Sequence, residues 1–243
     1  MTTATVALVT GANKGIGFEI AARLGALGWT VGIGARDAER REEAVAKLRA
    51  GGADAFGVAL DVTGQASVDA AAAEVGARHG RLDVLVNNAG IIGGTPQEPS
   101  TVDLAVVHAA VDTNVYGVIR VTNAFLPLLR RSPRPRIVNM SSSVGSFAEQ
   151  TDPDGPLSGM PPSVAYAPSK AFLNAVTVQY AKELGDTGIL VNLGCPGYCA
   201  TDLNHHSGFR TAAQGAEIAV RLATLPDDGP SGGFFDDEGT VRW

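Results

Sequence analysis

Val6-Ala7-Leu8-Val9-Thr10-Gly11-Ala12-Asn13-Lys14-Gly15-Ile16-Gly17 stands near the start of the chain and decides how the rest is read. The unbroken apolar run predicts a strand buried on both faces, as in parallel sheets. After the glycine-rich turn, Ile16–Leu27 has helical periodicity. Glycines here let the backbone bend tightly and approach a pyrophosphate, while the free N–H groups and positive dipole end of the helix point at it. Such a turn is weak evidence alone, but the strand before it and the helix after it are the required context. The spacing is T-G-x-x-x-G-x-G, which is neither G-x-G-x-x-G nor a Walker A motif.

Outward from this turn, strand and helix patterns alternate. Strands are predicted at Val6–Thr10, Thr30–Gly34, Ala55–Leu60, Val84–Asn87, Arg136–Met140 and Leu190–Leu193, with a weaker one at Gly233–Phe235. Helices are predicted at Ile16–Leu27, Ala38–Ala50, Ser67–Arg78, Val102–Leu129, Tyr166–Leu184 and Ala212–Thr224, the fourth read as two helices joined near Ala110–Asn114. Buried runs separated by helices imply an α/β chain with a parallel sheet covered on both faces. No linker divides the chain, so residues 1–243 are expected to be a single domain. Glu149–Ser163 is rich in Pro, Gly and Asp and is read as a loop or lid, because it can form neither a long helix nor a central strand.

Composition narrows the function classes. Of 243 residues, 45% are apolar and 18% charged, enough for a sizeable core and against long disorder. A net charge of −6 argues against nucleic acid or an anionic membrane surface as partner. No apolar run approaches the ~20 residues that span a bilayer, and the start lacks the pattern of a secretory signal, so a cytoplasmic protein is expected. Cys195 and Cys199 are not spaced as a C-x-x-C pair, and the four histidines complete no zinc pattern. No metal site is expected, and His205-His206 reads as an exposed loop pair.

The second strand ends in Gly34-Ala35-Arg36-Asp37. An NAD site usually offers a carboxylate here, whereas an NADP site offers a cation to the 2′-phosphate. Arg36 can grip phosphate bidentately, and Lys14 adds a second charge at the other end of the same pocket. Both could be solvated surface charges, but their coincidence favours the phosphate and hence NADPH/NADP+. Asp37 is read as the N-cap of the next helix. Asp61-Val62, after the third strand, could accept from an adenine amino group or simply cap a helix. Asn87-Asn88-Ala89-Gly90, after the fourth, could tie strand ends together and let a ribose pass close, or be just a turn.

Tyr166-Ala167-Pro168-Ser169-Lys170 opens a helix, and residues four apart share a face. Pro168 is tolerated only in a first turn, which puts Tyr166 at the helix start. A tyrosine with a pKa of about 10 is a poor acid–base until a nearby ammonium favours its phenolate. Taken alone, Y-x-x-x-K is common by chance. Ser141-Ser142-Ser143 ends the fifth strand, at the carboxyl edge where open parallel sheets bind ligands. Ser146 sits in Val-Gly-Ser-Phe-Ala, which breaks the G-x-S-x-G elbow of a serine hydrolase. Pro196-Gly197 is expected to close over a nicotinamide, with Cys199 and Thr201 on the same stretch.

As a set, in this order and spacing, these residues resemble the classical short-chain dehydrogenase/reductase family from Val6 to about Leu225. Within it, Thr10-Gly11-Ala12-Asn13-Lys14-Gly15-Ile16-Gly17, Ala35-Arg36-Asp37, Cys195-Pro196-Gly197-Tyr198 and Trp243 look like the NADPH carbonyl reductases. The resemblance implies a doubly wound, Rossmann-type sandwich with a seven-stranded sheet. It implies Tyr166 as general acid–base, Lys170 holding the nicotinamide ribose and lowering the tyrosine pKa, and Ser142 polarising the carbonyl. It also implies Asn114 supporting a proton-relay water beside Lys170, and Asn87, Ala89 and Gly90 contacting ribose. The expected substrate is a small-molecule carbonyl or alcohol, and a mostly apolar lining from Ile91-Ile92, Phe147, the Glu149–Ser163 segment, Tyr198 and Leu203–Phe209 suggests a hydrophobic ketone, aldehyde or quinone. Those reductases often carry a long helical insertion between the serine and tyrosine; the stretch here is too short and Pro-rich for it, which leaves a homo-oligomer open. Two rivals stand beside this reading: a 3-oxoacyl reductase acting on carrier-bound substrates, and a non-catalytic NADP-sensing protein.

Overall fold

The computed structural model describes residues 4–243. Seven strands form one sheet in the order β3-β2-β1-β4-β5-β6-β7. They are β1 (Val6–Thr10), β2 (Thr30–Ala35), β3 (Asp54–Ala59), β4 (Val84–Asn87), β5 (Arg136–Met140), β6 (Leu190–Gly194) and β7 (Phe234–Phe235). Every neighbouring pair is parallel. The helices between them are α1 (Gly15–Ala26), α2 (Ala38–Ala50), α3 (Gln65–His79), α4 (Leu104–Val111), α5 (Gly117–Leu129), the short α6 (Phe147–Thr151), α7 (Tyr166–Glu183) and α8 (Ala212–Ala223). The doubly wound architecture is as expected. Strand order reverses between β1 and β4, and the crevice outside their carboxyl ends is where such sheets bind ligands.

Side-chain alternation explains the unbroken apolar runs. In β1, Val6 and Leu8 face one core with Leu85, Ile137, Val121 and Phe125. Ala7 and Val9 face the other, with Ile20, Leu24, Val45 and Ile218. A strand covered on both sides has no polar face to show. Asp37 caps α2 as expected, its carboxylate accepting the Arg40 N–H at 3.1 Å.

Two segments differ from expectation. Val102–Leu129 does not break into two helices: α4 runs through a π turn, Asp112–Tyr116, directly into α5. The polar Asp112-Thr113-Asn114 widens the helix by one hydrogen-bond step without ending it. By length and a mean hydropathy of 1.2, Leu104–Leu129 could cross a membrane. Here it lies along the sheet, with Val115, Val121 and Phe125 in the core and Arg120 paired to Asp112 at 2.7 Å. The loop expected at Glu149–Ser163 begins inside α6, which Ser146 caps by accepting the Glu149 N–H. Beyond it the segment is largely exposed turns.

Phe125 is fully buried between α5 and the sheet. Phe125→Ala should lower the unfolding free energy in urea by about 3–5 kcal/mol. A loss below about 1 kcal/mol would contradict this packing.

Candidate active site

The glycine turn is built for close approach. Gly11 has φ +64°, and a Cβ there would sit 2.9 Å from the Ala89 Cα. A Cβ on Gly17 would sit 2.4 Å from Asn88 Nδ2 and 2.6 Å from the Gly11 carbonyl oxygen. Asn88 locks the turn to β4: its amide donates to the Thr10 carbonyl at 2.9 Å, while the N–H groups of Asn88 and Ala89 donate to Thr10 Oγ1 at 2.9 Å each. The first turn of α1 has no side-chain cap, so Gly15, Ile16 and Gly17 present their N–H groups outward, as an anion site needs.

Beside this turn a cavity of about 310 Å³ is lined by Asn13, Lys14, Gly15, Arg40, Lys47 and Asp202, among others. Lys14 is paired with Asp202 at 2.6 Å, and Asp202 also meets His206 at 2.9 Å. Arg36 lies exposed at the end of β2, near enough to Asp61 to help hold that carboxyl below its ordinary range; the larger cause is hydrogen bonding from the Thr63 hydroxyl and N–H. Val62 is packed against Gly117, where a Cβ would come within 2.9 Å of its methyl. Across the crevice, Gly197 has φ +71°. Thr201 lies opposite Gly15, its methyl 3.6 Å from a Cβ built there. The Cys199 thiol points inward, donating to the Pro196 carbonyl at 3.2 Å.

Beyond the carboxyl end of β5 the other expected residues converge. Tyr166 is the first residue of α7, and Lys170 follows one turn later on the same face, its Nζ 5.7 Å from the Tyr166 ring centre. Lys170 is buried and donates to the Met140 carbonyl at 2.8 Å. Burial pushes the Tyr166 phenol up to about 12, with the Cys195 thiol adding to the rise and a hydrogen bond from Ser142 opposing it. Burial pushes Lys170 down to about 8, opposed by Cys195. A Cβ on Gly90 would come 3.2 Å from Asn114 Oδ1 and 3.8 Å from Lys170 Nζ, so Gly90, Asn114 and Lys170 meet at one point.

Two of the expected side chains, Asn87 and Asn114, have hydrogen-bond partners within the chain. The Asn87 side chain does not face the crevice; it is buried, donating to Asn139 at 2.9 Å and Thr122 at 3.2 Å, because strand parity turns it into the interior. Both Asn114 N–H donors are committed, to the Ile91 carbonyl and Ser169 Oγ at 2.9 Å each, and Oδ1 accepts the Ile91 N–H at 2.9 Å. Its amide therefore ties the loop after β4 to α7. The sequence reading missed Arg40, Asp202 and Gln97. Arg40 carried a signal, four residues beyond Arg36 at the start of the helix; the others carried none.

Comparison with known proteins agrees with this arrangement. The short chain dehydrogenase family model matches residues 5–210. The chain is 36% identical to (−)-isopiperitenone reductase of Mentha piperita, over 94% of this chain and 95% of that protein. That match spans 300 aligned positions against a chain of 243 residues, so the relative carries insertions within the shared span. Among solved structures, NADPH-bound carbonyl reductase from chicken fatty liver superposes with a TM-score of 0.87 at 30% identity, covering 99% of both chains. An actinorhodin polyketide ketoreductase with NADPH superposes with a TM-score of 0.85 at 30% identity, covering 98% of this chain and 97% of that one. Sheet, glycine turn, the cluster at the end of β5 and these matches together make the chain a member of the short-chain dehydrogenase/reductase family of oxidoreductases.

Proposed function

We propose that this protein reduces the carbonyl group of a hydrophobic ketone, aldehyde or quinone at the expense of NADPH, working as one unit over its whole length. The observation that carries this reading is the convergence of Ser142, Tyr166 and Lys170 outside the end of β5. The crevice fits the cofactor: the glycine turn, in which a Cβ at Gly11 or Gly17 would strike Ala89 or Asn88, brings the uncapped first turn of α1 to its edge. The main chain of Gly11, Asn13, Gly15, Ile16 and Gly17 would hold the pyrophosphate. Lys14, Arg36 and Arg40 would hold the 2′-phosphate, Asp61 and Val62 the adenine, Ala89, Gly90, Tyr166 and Lys170 the nicotinamide ribose, and Pro196, Gly197 and Thr201 the nicotinamide. Two free, buried cysteines fit a reducing cytoplasm.

When bound, the reduced nicotinamide supplies the hydride that the carbonyl carbon accepts. The chain's own task is the carbonyl oxygen. Ser142 and Tyr166 hold that oxygen by their hydroxyl groups. With its phenol pushed up to about 12, Tyr166 is protonated at neutral pH and is the proton donor. Its O–H bond breaks as the oxygen becomes a hydroxyl, and the electron pair stays on the phenolate. The Lys170 ammonium, one helical turn away, stabilises that negative charge. The loop after β6 brings Tyr198, Leu203 and Phe209 to the surface, with the rings of Tyr198 and Phe209 6.0 Å apart edge to face. Such apolar groups favour a hydrophobic substrate. A carrier-bound 3-oxoacyl substrate is the second reading, favoured by the likeness to the polyketide ketoreductase.

NADPH oxidation followed over a panel of free carbonyl compounds and one carrier-linked ketone tests both readings. Turnover of the free carbonyls with NADPH, far above turnover with NADH, is expected; equal use of both cofactors contradicts the assignment of Lys14 and Arg36. Arg36→Ala should raise KM for NADPH by about 10–100-fold, the loss of a charge-assisted contact, with little effect on NADH.

Tyr166→Phe should lower kcat by roughly 10²–10⁴-fold and leave NADPH binding intact. An unimpaired variant would remove Tyr166 from the reaction. The pH profile carries a further sign. Lys170 is charged below its pKa of about 8, so it supports the phenolate at neutral pH and loses that support as pH rises through 8. Reduction in the wild type should therefore decline above about pH 8, and a rate that stays flat to pH 10 would contradict the role given to Lys170.

A further inference from the structure

Gln97 lies in the loop between β4 and α4, yet it is only 7% exposed. A polar side chain that deep needs partners, and Gln97 has a full set. Nε2 donates to the Ile92 carbonyl at 3.0 Å and to the Gly94 carbonyl at 2.7 Å. Oε1 accepts from the Ser163 hydroxyl at 2.7 Å and from the Tyr166 N–H at 3.2 Å. The Gln97 main-chain carbonyl also accepts the Val164 N–H at 3.1 Å. The partners fix which way the amide faces, since two carbonyls can only accept and a backbone N–H can only donate.

Three segments meet at this one side chain: the loop after β4, the far end of the Glu149–Ser163 segment, and the start of α7. Gly93 and Gly94, at φ 102° and 127°, give the loop the path that turns its carbonyls onto Nε2. The start of α7 lacks a local cap, because Ala165 already has helical angles and no side chain accepts there. The orphan N–H of the first turn belongs to Tyr166, and Gln97 takes it from 69 residues away. The Tyr166 carbonyl is held as well, by the Ser169 hydroxyl at 2.7 Å, which in turn accepts from Asn114. Both main-chain groups of Tyr166 are thus held by side chains: Gln97 also holds the Ile92 and Gly94 carbonyls, while Ser169 is tied through Asn114 to Ile91.

We propose that Gln97 is a positioning residue for the proton transfer: by tying the main chain of Tyr166 to Ile92 and Gly94 of the loop after β4, it sets where the phenol stands relative to the bound carbonyl. This rests on the reading of Tyr166 as the proton donor. Gln97→Met keeps length and volume and removes all four side-chain hydrogen bonds. Gln97→Glu keeps an acceptor for the Tyr166 N–H but gives up the two donors to the loop.

With saturating NADPH and a carbonyl that the wild type turns over, Gln97→Met should lose about 10²-fold in kcat per active site, the penalty of a misplacement of about 1 Å. The solvent deuterium isotope effect on kcat should rise as proton transfer becomes limiting, while NADPH affinity, read by fluorescence titration, stays at the wild-type value. Gln97→Glu should recover most of kcat and show its defect in the carbonyl KM. A purely structural glutamine would lower the melting temperature and the number of active sites, leaving kcat per site and the isotope effect unmoved; that result overturns the proposal. If Gln97→Met does not fold, Gln97→Glu decides alone, since a fall in its kcat with an unchanged isotope effect is equally fatal. A wild type that turns over no carbonyl overturns both this proposal and the reading beneath it, and is told apart from failure of the positioning role because there the wild type is active and the variants match it.

Discussion

A seam of buried amides and hydroxyls holds α7 against the sheet, and the geometry of the whole site hangs on it. Thr122, Asn87, Asn139 and Thr177 form a chain of hydrogen bonds from α5 through β4 and β5 to α7, at 2.9 to 3.2 Å. Further along, Ser141 donates to Asn174 at 2.6 Å, and Asn174 donates to the Gly145 carbonyl at 3.1 Å. These groups are all buried, so an unmade bond would leave a desolvated polar atom at a cost of about 1–3 kcal/mol. Apolar contact alone would tolerate a small slide of α7 along the sheet; paired amides do not. The seam thereby fixes the height of α7 and sets Tyr166 over Ser142 and Lys170 under the end of β5.

The second constraint is electrostatic and lies at the other end of the crevice. Lys14, Arg40 and Lys47 line the cavity beside the glycine turn, and Arg36 follows the end of β2, in a chain whose net charge is −6. Their charge is local, and it is partly balanced: Lys14 by Asp202 at 2.6 Å and Arg40 by Asp37 at 3.5 Å. Both pairs are exposed, so each adds little to stability. Lys14 and Asp202 come from the two sides of the crevice, which makes their pair a bridge between the glycine turn and the loop after β6.

Most of the fold was legible because buried parallel strands cannot hide their composition. β1, β4 and β5 matched their predicted bounds, as did α2, whose cap was readable at Asp37. Other helix ends moved by a residue or two. The π turn was misread as a joint because Asp112-Thr113-Asn114 looks like a helix terminator, whereas packing of Val115, Val121 and Phe125 carries the helix through it. That Tyr166 opens α7 with Lys170 one turn later on the same face was readable from spacing and from Pro168. The roles of Asn87 and Asn88 were not separable in sequence, since only strand parity decides which amide faces inward. Gln97 was invisible for a different reason: a glutamine in a Gly- and Pro-rich loop reads as solvated, and becomes buried only where three distant segments close around it.

The most direct measurement follows the label in one turnover. Enzyme is mixed with NADPH carrying deuterium at the transferable position of the nicotinamide and with a hydrophobic ketone, and the alcohol is analysed by mass spectrometry and NMR. Deuterium on the carbinol carbon, with the hydroxyl proton drawn from solvent-exchangeable groups, is the expected result. Tight binding of NADPH with no label transferred to any ketone, aldehyde or quinone would contradict the account and leave a protein that binds the cofactor without performing the reduction.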